Sequence, residues 1–475
     1  MRKLLGNPHL IPISIRATFL VVAALSLFSS FVSGCTPNKE KQEELTLVTL
    51  HPGHFHAAVV QMKNYPGVCN EAYVYAPQGE DLQMHLNRID GYNRREQNPT
   101  HWNEVVYTGD DFIQKMLADK RGNLLILAVN NKYRPNYILE GVRGGYHIFS
   151  DKPMAITSDD YLSLLEALEI AQDRGVMVLD MMSERFQATN ALQKELTGLK
   201  DIFGAIKKGT PTEPAITIFN THHFCKMVSG VANTRPEWYF DSDQQGVGIA
   251  DVNTHLVDLV QWMVAGDHSI QMKDVAVLSA RRWDTPLSLA QYQQVTKKEQ
   301  FAPFLLKNVK ENVLHVPSNG EITFVVNGVY ARVATQWNFV APEGTGDTQF
   351  ATVMCEKGNI IIKQGVEQGY KPTLYIEFSS KSDSTDLNAS KSETLLMEAV
   401  SALSQKYRGI SLEKEGELFK VAIPDALFVG HETHITMVMD KLLDYYYGSG
   451  VPQWEKDQLK TKYFIITEAT TISEQ

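Results

Sequence analysis

Residues 45 to about 155 constrain the chain most, because short apolar runs alternate there with segments of helical spacing. Leu45–Leu50 is an apolar strand, and His56–Lys63 can begin a helix. Ala72–Ala76 is a second strand, stopped by Pro77 and Gly79, and Leu82, His85, Leu86 and Ile89 share one helical face. Thr108, Asp110 and Asp111 mark a helix start ahead of Phe112, Met116 and Leu117. Leu124–Val129 is apolar throughout, as a parallel strand covered on both faces must be. Pro135 opens the next helix and Gly144-Gly145 closes it ahead of the strand Tyr146–Phe149. Ser158 caps a helix that Gly175 ends, and Val176–Leu179 is another strand. This βαβαβ order predicts an α/β fold whose N-terminal part is a doubly wound parallel sheet.

After about residue 215 the pattern changes. Ala215–Phe219, Asp274–Ala280, Glu321–Val326 and Val329–Trp337 are strand-like, and Asn327-Gly328 is a hairpin turn between the last two. Lys357-Gly358 marks a second hairpin, between Thr352–Cys355 and Asn359–Lys363. Clustered hairpins predict a C-terminal α+β domain with a large open antiparallel sheet. Residues 379–393 are poor in apolar side chains and read as a mobile loop, and His434–Tyr447 as a helix packing back on the body. The expected division is 45–155 for the first domain and 156–475 for the second, with its core over 176–440. An open sheet face after residue 270 leads us to expect a homo-oligomer.

Residues 1–34 form a separate object. Arg2, Lys3 and Arg16 precede the apolar run Ala17–Phe31, which is short for a membrane span and suits an export signal. Val32-Ser33-Gly34-Cys35 resembles a bacterial lipoprotein processing box, with the lipid on Cys35 and residues 35–44 as a polar tether. The expected location is therefore exported and lipid-anchored to a bacterial membrane, periplasmic or outer-membrane associated, with membrane contact only through that lipid. The remaining Cys69, Cys225 and Cys355 have no metal spacing; three buried thiols are the favoured reading, with a disulfide between two of them the alternative outside the cytosol. With 45 Lys+Arg against 55 Asp+Glu, the charge balance argues against nucleic acid, which needs a basic surface.

Two constellations can carry chemistry. Ser150-Asp151-Lys152-Pro153 follows a predicted parallel strand, where open α/β sheets bind ligands. A partly desolvated Lys152 there can serve as an acid or base. Asp251, His255 and Asp258, spaced i, i+4, i+7, would share one helical face, with His255 tuned toward neutral pH between carboxylates. His431-Glu-Thr-His434 lacks the spacing of a zinc protease.

Together these motifs resemble the Gfo/Idh/MocA oxidoreductases. Asp151-Lys152-Pro153 is similar to that family's Glu-Lys-Pro, and Gly248–Asp258 to its D-x-G-x-H-x-x-D stretch, with Asn253 in place of Gly. The resemblance covers most of residues 45–275 and implies a Rossmann-type first domain. It also implies an NAD or NADP cofactor and hydride transfer at a hydroxyl-bearing carbon of a sugar or polyol. Lys152, His255 and Asp251 would be catalytic. Gly53, His54, Phe55, Asn130, Asn131, Asp151 and Lys152 would hold the cofactor, and Arg185, His222 and Asn253 the substrate.

The phosphate loop departs from G-x-G-x-x-G, reading His51-Pro52-Gly53-His54-Phe55-His56. Its histidines are read as satisfied or phosphate-facing, and no metal is expected. The second strand ends Tyr75-Ala76-Pro77-Gln78, with Glu80 and Asp81 only further on. The alternatives are an enzyme that cleaves glycosides with permanently bound NAD, and a non-catalytic carbohydrate-binding lipoprotein.

Overall fold

The structure, a computed structural model, describes residues 43–228, 231–379 and 387–474. The leader, Cys35 and most of the tether lie outside the described residues. Among the described residues no helix is long and apolar enough to cross a membrane.

The first half is a six-stranded, all-parallel sheet. Its strands are β1 (Leu47–Leu50), β2 (Glu71–Ala76), β3 (Asn103–Thr108), β4 (Leu124–Leu127), β5 (His147–Ser150) and β6 (Val178–Asp180), in the order β3-β2-β1-β4-β5-β6. The order reverses between β1 and β4, which opens a crevice at their carboxyl ends. The helices are α1 (His56–Val59), α2 (Glu80–Arg94), α3 (Phe112–Asp119), α4 (Arg134–Gly144) and α5 (Ser158–Arg174).

Continuous apolar strands are needed because both faces are covered. Leu47, Leu124, Ile126 and Phe149 pack with Ile435, Val438 and Leu442 of the helix His431–Tyr447. Val48, Leu125, Leu127 and Ile148 face the other way, onto Ile138, Val142, Leu164 and Leu168 of α4 and α5. Gly145 and Gly175 end these two helices in the left-handed region. The α5 cap is Thr157, one residue before the expected Ser158. Its hydroxyl accepts from Asp160 N, and the Asp160 carboxylate accepts from Thr157 N, a reciprocal box that Ser158 cannot make.

The second half is built on a ten-stranded sheet. Val275–Ser288, Val313–Val326, Val329–Val340, Ile216–Cys225, Thr348–Met354 and Gly358–Gln364 lie side by side, followed by Thr373–Phe378, Leu418–Ala422 and Ser411–Glu415, and the tenth, Val309–Lys310, pairs with Val313–Val326 off this path. All these pairings are antiparallel except Val329–Val340 with Ile216–Cys225. Val326 pairs with Val329 across Asn327-Gly328, both at positive φ, as the sequence predicts. The inner face, including Ile216, Ile322, Phe324 and Val333, packs on Leu256, Leu259 and Val260 of the helix Asn253–Ala265 and on Ile465 and Ile466 of the helix Gln453–Ile472.

Residues 380–386 of the loop expected at 379–393 lie outside the described residues, and from Leu387 onward that stretch belongs to a helix, Leu387–Leu403. Its inward anchors, Leu396 and Val400, lie beyond the polar stretch that masks its start. The three cysteines are free thiols, but only Cys355 is buried.

Candidate active site

β5 delivers its last residues to the crevice. Phe149 and Ser150 are fully buried, and Asp151 is 3% exposed. The cis peptide Lys152-Pro153 follows, and Arg134, itself 1% exposed, secures the corner. Its guanidinium donates to Pro153 O at 2.6 Å and to Val129 O at 2.6 Å, tying the ends of β4 and β5 together. Sequence reading missed Arg134 because an arginine at the opening of α4, just before Pro135, resembles a surface charge.

Lys152 reaches across the crevice. Its Nζ donates to Asp251 Oδ1 at 2.7 Å, with both side chains largely buried. Asp251 Oδ2 accepts from Tyr239 Oη at 3.2 Å. Burial alone would raise the Asp251 pKa, but the Lys152 ammonium, with Arg235 and His222 beyond it, holds it below the ordinary value. Tyr239, under the Arg235 guanidinium 4.4 Å from its ring centre, was also missed; only the tertiary structure brings it to Asp251.

His255 lies on the first turn of the helix Asn253–Ala265 and is 7% exposed. Burial, reinforced by the Lys152 charge, pushes its pKa down to about 3, so the imidazole is neutral. Its Nδ1 is buried with no hydrogen-bond partner. The expected tuning of His255 toward neutral pH between carboxylates is therefore corrected. Asp251 precedes the helix and is committed to Lys152, while Asp258 accepts from Arg185 Nε (2.6 Å) and Nη2 (2.8 Å) and from Lys462 Nζ (2.9 Å).

The structure assembles Lys152, Asp251 and His255 from two halves of the chain. It does not bring every predicted residue to the crevice. Asn253 is fully buried, its Nδ2 donating to Gly320 O and its Oδ1 accepting from Thr335, so it joins the helix to the sheet. Arg185 is spent on Asp258 and lies between the rings of Trp262 and Trp454. Asn131 donates to Gln245 O at 2.7 Å and Asn130 to Gln244 Oε1 at 2.9 Å, so both brace the segment ahead of the crevice. His222 and His223 flank Asp347, with Nδ1 3.3 Å and 2.8 Å from its carboxylate oxygens. His222 Nε2 has no hydrogen-bond partner.

In the loop after β1, Gly53 N and His54 N both donate to Ala128 O, at 3.0 and 2.9 Å. A Cβ at Gly53 would fill a notch 3.3 Å from Asn130 N and 3.7 Å from Asp81 Oδ2. Asp81, in the first turn of α2, thus reaches back to this loop, although β2 itself ends without an acid. Burial and neighbouring Glu80 raise its pKa to about 6. Phe55 is partly buried beneath the guanidinium of Arg88. His54 and His56 turn toward Asp151.

The family model described as "Putative oxidoreductase C terminal domain" matches residues 192–474. No curated protein matches the chain. The chain is similar to a "putative oxidoreductase" from Parabacteroides merdae ATCC 43184, with 43% identity, a TM-score of 0.87, and 91% of this chain and 98% of that one covered. It shares its fold with levoglucosan dehydrogenase solved with NADH and L-sorbose (14% identity, TM-score 0.56, 90% of this chain and 96% of that one). GenD2 of gentamicin A biosynthesis, solved with NAD, also shares the fold (11% identity, TM-score 0.54, 91% and 95% covered).

Proposed function

We propose that this chain, which belongs to the oxidoreductase family of that C-terminal domain and has the Gfo/Idh/MocA architecture, transfers hydride between NAD(P) and a hydroxyl-bearing carbon of a sugar or polyol. The observation that carries the reading is the Lys152–Asp251 pair, 2.7 Å across the crevice at the carboxyl end of β5, beside a buried neutral His255.

The notch at Gly53, bounded by Asn130 and the Asp81 carboxylate, fits a dinucleotide laid across the switch between β1 and β4, with Asp81 available to a ribose hydroxyl. The bound nucleotide would supply the hydride acceptor or donor. The rest falls to the protein. In reduction the Lys152 ammonium gives a proton to the carbonyl oxygen as hydride reaches the carbon; in the oxidative direction Lys152 first releases one proton to solvent, and the neutral amine then takes the proton of the substrate hydroxyl as the C–H bond gives up hydride. Asp251 orients the amine, and Tyr239 fixes Asp251. His255 presents an uncharged imidazole to hydrogen-bond the substrate, and His222 offers a free Nε2 on the sheet side.

The test is NAD(P)H absorbance with a panel of sugars and polyols, run beside nucleotide binding by fluorescence. Lys152→Met should lower kcat about 10²–10⁴-fold while nucleotide affinity holds, as expected when a proton-transfer group is removed. Undiminished turnover in Lys152→Met, or a wild-type chain that binds no nucleotide, would overturn the reading.

The export leader and the Val32-Ser33-Gly34-Cys35 box support a protein carried across the membrane and held there by lipid on Cys35. Incorporation of labelled fatty acid, lost in Cys35→Ser, is the expected outcome in cells.

A further inference from the structure

Among the described residues, His54, His56 and Asp151 form one group whose candidate ligand atoms all lie within 4.8 Å of one another. We propose that this group binds a divalent transition-metal ion of the zinc class, with His54 Nδ1, His56 Nδ1 and the Asp151 carboxylate as protein ligands.

Four observations support it. First, both imidazole Nδ1 atoms approach the same carboxylate oxygen, Asp151 Oδ2, at 3.0 Å from His54 and 3.1 Å from His56. An ion with bonds of about 2.1 Å sets neighbouring ligand atoms roughly 3.0–3.4 Å apart, so these edges match. Second, His54 Nδ1 is buried and makes no hydrogen bond, despite lying 3.0 Å from that oxygen. Its lone pair is directed beside the carboxylate rather than at it, as expected where both atoms face a common third point.

Third, the next shell fits. With Nδ1 used as a ligand, His56 keeps its proton on Nε2, and His431 Nε2 stands 3.1 Å away to accept it. Such outer hydrogen bonds fix the tautomer and ring orientation of metal-binding histidines. Fourth, Asp151 is buried, and the nearest lysine does not compensate it, since Lys152 Nζ is turned to Asp251. A buried carboxylate between imidazoles gains from a cation that ligates all three.

The donor set of two nitrogens and one oxygen suits zinc-class ions better than Ca²⁺ or Mg²⁺, which prefer all-oxygen sites. Three protein ligands leave a coordination position free, and the partial exposure of His54, 31% at its side chain, opens that position to the crevice. The vacant position would take an oxygen ligand such as water or a substrate hydroxyl. Sequence spacing alone did not favour this reading, because Asp151 lies 95 residues beyond His56 and only the pairing of β1 through β4 to β5 brings them together.

The test uses the untagged protein, stripped with chelator and free of nucleotide, so its result is separate from that of the cofactor reading. Titration with Zn²⁺ and with Co²⁺ should show one equivalent bound per chain, with a visible Co²⁺ d–d band and a raised Tm. His54→Ala, at a half-exposed position, should weaken binding at least tenfold, and His56→Ala likewise, while exposed His101→Ala should leave it unchanged. Should the His56 variant fail to fold, the His54 variant and the wild-type stoichiometry decide the matter. Substoichiometric metal on the wild type, or unaltered affinity in His54→Ala, would overturn the proposal.

Discussion

Glu104 on β3 illustrates how burial of one atom sets a pH dependence. Its Oε1 accepts from Gln61 Nε2 at 2.5 Å, but its Oε2 is buried without a partner. Burial raises its pKa to about 7, against a smaller lowering by Gln61. The folded state therefore binds the proton more tightly than the unfolded chain, whose value is near 4.5. The associated stability is complete below the unfolded value and is lost as pH rises through 7. Glu104→Gln should accordingly stabilise the protein by roughly 2–3 kcal/mol at pH 8 and by almost nothing at pH 4. Denaturant midpoints at the two pH values measure this, and equal shifts at both would contradict it. The opposite sign applies to His255, whose folded pKa near 3 lies below 6.5. Its neutral form is favoured by folding, so stability declines as pH falls below 6.5.

At the scale of elements, the close approach of the segment before the helix Asn253–Ala265 to the large sheet positions Asp251 and His255. Gly248 N donates to Pro317 O at 2.8 Å, and a Cβ on Gly248 would lie 2.1 Å from Ser318 O. The obstacle is backbone, which cannot swing aside as a side chain can. Gly248→Ala should cost about 2 kcal/mol or more of stability. It should also lower kcat, because it displaces the carboxylate that holds Lys152. A thermal melt and a turnover assay read the two effects, and an unperturbed Tm would refute the close-contact argument. The elements themselves were unequally legible. β1, β4 and β5 were plain because strands buried on both faces must be apolar throughout. β3 was missed because it is an edge strand with no fully buried residue, and its Asn103-Glu-Val-Val-Tyr-Thr108 has only a three-residue apolar run between polar ends. The strands Thr373–Phe378, Ser411–Glu415 and Leu418–Ala422 also went unread: all three are short, and Ser411–Glu415 is largely charged.

At the scale of the molecule, a buried ionic hub ties the two sheets together. Asp258 accepts from Arg185 and Lys462, Lys462 also reaches Asp180 at the end of β6 at 2.7 Å, and Arg185 approaches Glu455 at 3.5 Å. Glu455 in turn accepts from Lys441 and Tyr445. The parallel sheet, the helix Asn253–Ala265 and the last two helices thus meet at one set of charges. Burial would raise the Asp258 pKa, but Arg185 and Lys462 hold it well below the ordinary carboxylate range. Asp258→Ala leaves buried Arg185 without its main partner and Lys462 with one carboxylate in place of two, and should destabilise by about 3–5 kcal/mol. A denaturation midpoint close to wild type would show the hub to be expendable.

The sequence alone determined the βαβ alternation, the hairpin at Asn327-Gly328, the family resemblance and the lysine after β5, because each is a local pattern of apolar spacing or turn chemistry. What Lys152, Asp251, His54 and His56 face was decided only by the tertiary structure. Partners 99 and 95 residues apart meet through sheet order and interlobe packing, and burial and pairing in that shared crevice set their charge states. The i, i+4, i+7 spacing of Asp251, His255 and Asp258 misled for the same reason. A helical face says where side chains point, but the partners waiting there belong to other parts of the chain.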